Sequence, residues 1–230
     1  LVLLLISDEA GKGERLKMKK RHAITLPEYE RAFRIIHSVS RSLDDRPGAS
    51  CLFYNTVGAL LLEESLGIRA LPVVGAAFFR LDDYLGTGLS FAKINDDGTC
   101  EGTEEHFHCW IETENHIIDF TAPVYREYLE KAGVKVDIPR KMFQKQKLEM
   151  SPSQQELRRS GDYFVVPNRH LSAVSLKKAQ QSPAVGDLAR VCLEWFKRPP
   201  KSIPNSLVIM NDLGEKTNIQ LTKLAIVGAW

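Results

Sequence analysis

The chain has 230 residues, 43% of them apolar and 26% charged, with a formal net charge of +2. That length allows one sizeable core or a domain with a small appendage, and the near-neutral balance argues against a generic nucleic-acid binder or a membrane-surface protein. The four cysteines, Cys51, Cys100, Cys109 and Cys192, are widely spread with no CxxC pair; this excludes a small disulfide scaffold and predicts reduced thiols in a cytoplasmic setting.

Leu1 to Ile6 is apolar but too short to span a bilayer and shorter than a usual signal-peptide core. Met18, followed by Lys19-Lys20-Arg21, offers an alternative start that would make residues 1–17 dispensable, and residues 1–26 as a whole read as an N-terminal tail before the domain. Pro27-Glu28-Tyr29 opens a helix in which Tyr29, Phe33, Ile36 and Val39 recur at helical spacing, and it stops near Leu43. Asp44-Asp45-Arg46-Pro47-Gly48 is a turn cluster. Ser50 is then the expected N-cap of a long apolar helix from Cys51 to Leu66, closed by Gly67, which places Cys51 in its first turn. Gly58 inside that helix costs roughly 1 kcal/mol in propensity and predicts close packing against another element.

Strand signals come next at Ala70 to Leu81 and Leu89 to Ile94, with a turn at Asn95 to Gly98. His106 to Thr113 and His116 to Phe120 read as a hairpin around Glu114-Asn115. Pro123 to Ala132 reads as a helix ending at Gly133. Residues 135–160 are polar and basic, a loop with a short helix at Ser153 to Arg159. Tyr163 to Val166 is a strand, Val185 to Phe196 a helix, and Leu207 to Met210 and Thr217 to Val227 a final strand pair about Asp212-Leu213-Gly214. The Pro-rich stretch at 199–204 is the best linker, but the segment beyond it is too short for an independent domain. Residues 27–230 are therefore expected to form a single α+β domain with C-terminal elaborations.

Cys51 sits where thiol chemistry is easiest to arrange. A helix N-terminus carries partial positive charge and unpaired N–H groups, which favour a thiolate and can hold an oxyanion. A lone cysteine is also among the most buried residue types, so Cys51 by itself reads first as a small core residue. His108 and Asp119 shift the balance, because a thiolate nucleophile needs a base and the base needs a third group to fix its tautomer. In the hairpin a two-residue loop puts both on one face: at Thr113-Glu114, 108 faces 119; at Glu114-Asn115, 110 faces 119 and His108 lies diagonal to it. An odd-length loop would separate them. An aspartate between Ile118 and Phe120 is also costly to bury unless it is paired; the competing reading is a solvent-facing edge strand.

Cys at a helix start, then His108-Cys109-Trp110-Ile111-Glu112, then Asp119-Phe120-Thr121 on the next strand, resembles the transglutaminase-like branch of the papain-like cysteine protease superfamily. Leu66-Gly67-Ile68-Arg69-Ala70 before Val73-Val74-Gly75 matches the helix-to-strand step of such domains. The resemblance covers roughly residues 27–125 and looks closest to an uncharacterised bacterial group of that superfamily. It implies a nucleophile helix packed on an antiparallel sheet, with Cys51 as nucleophile, His108 as general base and acid, and Asp119 as the orienting group. Two departures stand out. Leu52 follows the cysteine where many relatives have an aromatic residue, and residues 22–50 contain no Gln to donate to an oxyanion. Asn55 is the substitute candidate for that donor, and Trp110 is a candidate lid or wall as well as a core residue.

The implied chemistry is attack on an amide or ester, with hydrolysis of a peptide or small acyl substrate as first expectation. Acyl transfer, as in transglutaminases or arylamine N-acetyltransferases, is the alternative, and a non-catalytic domain retaining the triad is the rival of another class. No cofactor is expected, nor a nucleic-acid or membrane partner. The basic clusters at Lys17 to Arg21 and at Arg140, Lys141, Lys145 and Lys147 read as solvated faces. Cys100, His106, His108 and Cys109 do not make a convincing zinc site, because strand alternation puts His108 and Cys109 on opposite faces. Phosphate-binding glycine loops and a serine nucleophile elbow are absent from the sequence.

Overall fold

The computed structural model describes residues 22–42, 47–198 and 204–230. Most of the expected N-terminal tail, the turn residues 44–46 and most of the 199–204 linker therefore lie outside the described residues. The architecture is α+β: five α-helices and an antiparallel six-stranded sheet, with two further strand pairs, among the described residues.

Helix α1 (Leu26–Arg41) starts at a capping box, in which Thr25 accepts from the Glu28 amide while the Glu28 carboxylate takes the Thr25 N–H. Its periodic residues Tyr29, Phe33, Ile36 and Val39 are all fully buried. Helix α2 (Pro47–Leu66) begins earlier than expected. Proline tolerates a first helical turn, so Pro47-Gly48 extends the helix rather than closing a turn. Ser50 is accordingly not its cap, and Cys51 falls in the second turn instead of the first.

Strand β1 (Leu71–Arg80) is the hub of the sheet, pairing with three others. The predicted 89–94 strand is two, β2 (Gly88–Phe91), which joins β1, and β3 (Lys93–Ile94), which makes a small hairpin with β4 (Cys100–Glu101). The central hairpin is β5 (His108–Glu112) and β6 (His116–Asp119); β5 pairs with β1. A short 3-10 turn leads into α3 (Tyr125–Lys131), closed by Gly133 with φ +78°. Residues 143–146 form a strand, β7 (Phe143–Gln146), paired with β6, where a loop was expected. The short helix expected at 153–159 reduces to one 3-10 turn, Gln154–Glu156. Strand β8 (Tyr163–Pro167) also joins β1.

After β8 comes an unexpected helix, α4 (Arg169–Gln180), started by the Asn168 side chain accepting from the Leu171 amide. Helix α5 (Pro183–Lys197) is next, and β9 (Ser206–Met210) pairs with β10 (Lys216–Gln220) about a turn with Gly214 at φ +79°. The C-terminal residues pack back on the domain: the Thr222 N–H donates to Ser38 Oγ, and Arg34 Nε donates to the Thr222 carbonyl.

The sheet separates two apolar layers. Ile111, Ile118 and Phe120 face α1, α2 and α5 on one side. Trp110, Ile117, Phe79, Phe143 and Tyr163 pack with Tyr125 of α3 on the other. Gly58 is the contact point of α2 with the first layer. A Cβ there would run into the Phe120 ring and stand 3.0 Å from Ile111 Cδ1. Among the described residues no helix is long and apolar enough to cross a membrane.

Candidate active site

The hairpin register decides which residues meet. Ile111 pairs with Ile118 and Glu112 with Ile117, so the loop is Glu114-Asn115 and position 110 stands opposite 119. His108 and Asp119 thus share a face at the open end of the hairpin, one as the first residue of β5 and the other as the last of β6. The His108 Nε2–H donates to Asp119 Oδ2 at 2.7 Å, and both side chains are fully buried.

Asp119 is held on every side. Oδ1 accepts from Asn55 Nδ2 (2.8 Å), the Thr121 amide (2.8 Å) and Thr121 Oγ1 (2.6 Å). Oδ2 accepts from Tyr125 as well as from His108, and the Tyr29 hydroxyl donates to the Asp119 main-chain carbonyl. Burial pushes the carboxyl pKa up, but the His108 charge and the His108, Thr121 and Tyr125 hydrogen bonds prevail and hold it below the ordinary carboxylate range. An aspartate in an apolar strand is thereby explained: the charge is buried because it is saturated with donors.

The imidazole is fixed just as firmly. Phe91 stacks on it, with centroids 4.5 Å apart and planes at 25°, and Phe79 meets it edge-on at 5.6 Å. With Nε2 committed to Asp119, only Nδ1 remains, and it has no partner of ordinary hydrogen-bond geometry. The Cys51 sulfur is the group beside it, close enough to act on the ring by charge and hydrogen bonding. Burial pushes the His108 pKa down; the Asp119 charge and hydrogen bond, with the Cys51 interaction, carry it up to about 10. Near neutral pH the site is therefore built for an imidazolium flanked by a carboxylate and a sulfur.

Cys51 is buried, with 5% of its surface exposed, and packs with Val74, Cys109 and Leu171, with Leu52 and Phe107 at the margin. Its place in the second turn changes which amides are free. The first four N–H groups of a helix lack an intrahelical acceptor. In a helix that starts at Pro47, which has no N–H, the amides of Gly48 and Ala49 have no acceptor within the helix. Side chains lean toward the helix N-terminus, which keeps the Cys51 sulfur near those donors.

The two weaker candidates do other jobs. Asn55 is fully buried, and its amide N–H groups point at Asp119 Oδ1, Thr121 Oγ1 (3.0 Å), the Cys109 carbonyl (2.7 Å) and the Cys51 carbonyl (3.3 Å). Its Oδ1 accepts the Phe120 N–H at 3.0 Å. With every donor spent inside the protein, Asn55 is a bracket between α2 and the hairpin, not an oxyanion donor. Trp110 is fully buried in the second apolar layer, and its indole N–H reaches Glu112 (3.3 Å); it fills the core and walls no cleft. Phe91, Tyr125 and Tyr29 are the supporting residues that sequence reasoning missed. For Tyr125 a signal existed, a tyrosine one helical turn beyond Asp119-Phe120-Thr121; for Phe91 and Tyr29 none did, because their roles depend on packing between distant elements.

The four cysteines are free thiols. Cys100 donates to Gln154 Oε1 at 3.1 Å. Among the described residues no group of three His, Cys, Asp or Glu side chains is arranged to hold a metal ion.

A crystal structure described as that of genomics APC5867 is similar over 91% of this chain and 98% of its own length, with 31% sequence identity and a TM-score of 0.79. No curated protein matches the chain significantly. The profile of the family described as "Protein of unknown function (DUF2026)" matches residues 25–230, a span that contains Cys51, Asn55, His108 and Asp119. The chain therefore belongs to the DUF2026 family.

Proposed function

We propose that this chain is a thiol-dependent acyl hydrolase acting on a peptide or small acyl substrate, with a papain-like or transglutaminase-like core. One observation carries the reading: a fully buried, donor-saturated Asp119–His108 pair whose one remaining ring nitrogen has the Cys51 sulfur beside it. A structural histidine needs no carboxylate with four further donors behind it, nor an aromatic stack fixing its plane.

The Cys51 thiolate attacks the substrate carbonyl carbon, and the electron pair moves to the carbonyl oxygen. The amides at the start of α2 are the donors available to that oxyanion. His108, protonated at Nδ1, gives its proton to the leaving amine or alcohol as the tetrahedral species collapses to a thioester. His108 then draws a proton from water, which attacks the thioester and frees Cys51. Asp119 keeps the Nε2–H in place throughout. No cofactor enters these steps. The 5% exposure of Cys51 favours a slender acyl group that reaches in past Leu52 and Phe107. The proposal includes a cytoplasmic setting, where the thiols stay reduced.

Incubation with activated acyl esters, followed by intact-mass and peptide mass spectrometry, tests this. The expected result is one acyl adduct on Cys51 that water removes, absent in Cys51→Ala. Release by amines faster than by water would assign acyl transfer instead of hydrolysis. Failure of every probe to label Cys51 above the level of Cys192 would leave the triad a structural feature only.

A further inference from the structure

Cys109 is a buried thiol that the proposed chemistry does not use, yet it is placed against the nucleophile. It follows His108 in β5, so strand alternation turns its side chain to the opposite face, toward α2. There it packs in the same small cluster as Cys51, Val74 and Leu171 and is fully buried. One Asn55 amide nitrogen bonds the Cys109 carbonyl (2.7 Å) and the Cys51 carbonyl (3.3 Å), which ties the two backbones together at this point. Burial, then the nearby charges of Cys51 and Asp119, push the Cys109 thiol pKa well up. The two neighbouring thiols thus differ in surroundings: one faces the His108 ring, and the other is pushed up in pKa by burial and by the charges beside it.

We propose that Cys109 is the resolving thiol of Cys51, closing a reversible disulfide that switches the site off under peroxide. This rests on the thiolate reading of Cys51 given above. The Cys51 thiolate attacks one oxygen of hydrogen peroxide, and the O–O bond breaks. The departing hydroxide takes the His108 proton and leaves as water, and the sulfur, oxidised by two electrons, is a sulfenic acid. The Cys109 sulfur then attacks the Cys51 sulfur; the S–O bond breaks, and the hydroxyl leaves as water with the Cys109 proton. The raised Cys109 pKa slows its reaction with free oxidant and acyl substrate, and oxidation of Cys51 removes a neighbouring charge that is one of its causes. Because Cys109 is adjacent, it intercepts the sulfenic acid before a second peroxide makes the irreversible sulfinic acid.

The test treats the full chain with hydrogen peroxide at neutral pH, digests it without reductant and reads the peptides by mass spectrometry. The expected product is a Cys51–Cys109 linked peptide, two hydrogens lighter than the separate peptides, with Cys51 alkylation restored by dithiothreitol. In Cys109→Ser and Cys109→Ala the link is lost, Cys51 advances to sulfinic acid, and recovery by dithiothreitol falls at least ten-fold. Wild-type Cys51 reaching sulfinic acid as fast as in these variants, or linking to Cys100 or Cys192, would overturn this proposal alone. Cys51 untouched by peroxide in wild type and variants would overturn the thiolate reading, and this proposal with it.

Discussion

Replacing Asp119 by asparagine keeps the shape of the site and removes its charge. The rise of the His108 pKa from 6.5 to about 10 corresponds to roughly 5 kcal/mol of preference for the imidazolium. Asp119 supplies its largest favourable part, against the burial that opposes it. In Asp119→Asn burial prevails and the ring is neutral at pH 7. The tautomer also changes. The asparagine carbonyl oxygen best occupies the Oδ1 site, where Asn55, the Thr121 amide and the Thr121 hydroxyl donate. Its NH2 then faces His108 Nε2, which must become an acceptor, and the ring proton moves to Nδ1, where it can no longer receive the proton of the thiol. The Cys51 alkylation rate with iodoacetamide at pH 7 should therefore fall about 100-fold or more, the usual worth of a positioned base, by mass-spectrometric counting, with Cys192 as internal reference. The same rate in Asp119→Asn and wild type, with both proteins folded, would refute the reasoning.

Asn55→Ala strands the Phe120 N–H and the Cys109 carbonyl and removes a donor from Asp119; it should cost about 3–5 kcal/mol in urea denaturation, well above a surface substitution. Tyr125→Phe takes one of two donors from Asp119 Oδ2. It should cost about 1.5–3 kcal/mol and move the alkaline limb of Cys51 reactivity to higher pH, because a less-solvated carboxylate holds the His108 proton more tightly. Gly58→Ala gains helix propensity but drives a methyl group into Phe120 and Ile111; a net loss of about 1–2 kcal/mol is expected by thermal melting. His37, bonded through Nδ1 to the Tyr54 hydroxyl, has its pKa lowered by burial to about 4. The unfolded chain binds this proton first as pH falls, so stability present above pH 6.5 should be lost between 6.5 and about 4, by about 3 kcal/mol from this group. His108 has the opposite sign: its contribution is full below pH 6.5 and is lost as pH rises through about 10. Urea midpoints measured across pH should thus peak near neutrality.

The pairing of His108 with Asp119 was legible because its geometry comes from local rules. Glu114-Asn115 sets a two-residue loop, the strand period is two, and His108 and Asp119 then have to share a face. Gly58 was legible for a similar reason, since a costly glycine inside an apolar helix implies a neighbour that needs the space. Strand β7 was hidden because Gln144 breaks its apolar pattern. That side chain is buried only because its Oε1 accepts from the Ala23 and Ile24 amides and its Nε2 donates to the Ile24 carbonyl, partners over a hundred residues away. Helix α4 lacks a strong apolar stripe; the Asn168 cap and the hydrogen bonds between Ser172 and Val74 hold it to the sheet. Asn55 was noticed and misassigned, because an amide one turn beyond a nucleophile reads alike whether it faces substrate or brackets a carboxylate. Only the placement of Asp119 and Thr121 around it distinguishes the two.

The pH dependence of Cys51 alkylation in the wild-type chain tests the ion pair most directly. With the His108 pKa carried up to about 10, an imidazolium stands beside the sulfur, and Cys51 should keep a lead in alkylation rate over the buried Cys192 from about pH 6 to 9 that His108→Ala removes. A Cys51 rate no greater than that of Cys192 over this range, or a lead that His108→Ala leaves in place, would mean that no imidazolium stands beside the sulfur, and the catalytic account would fail.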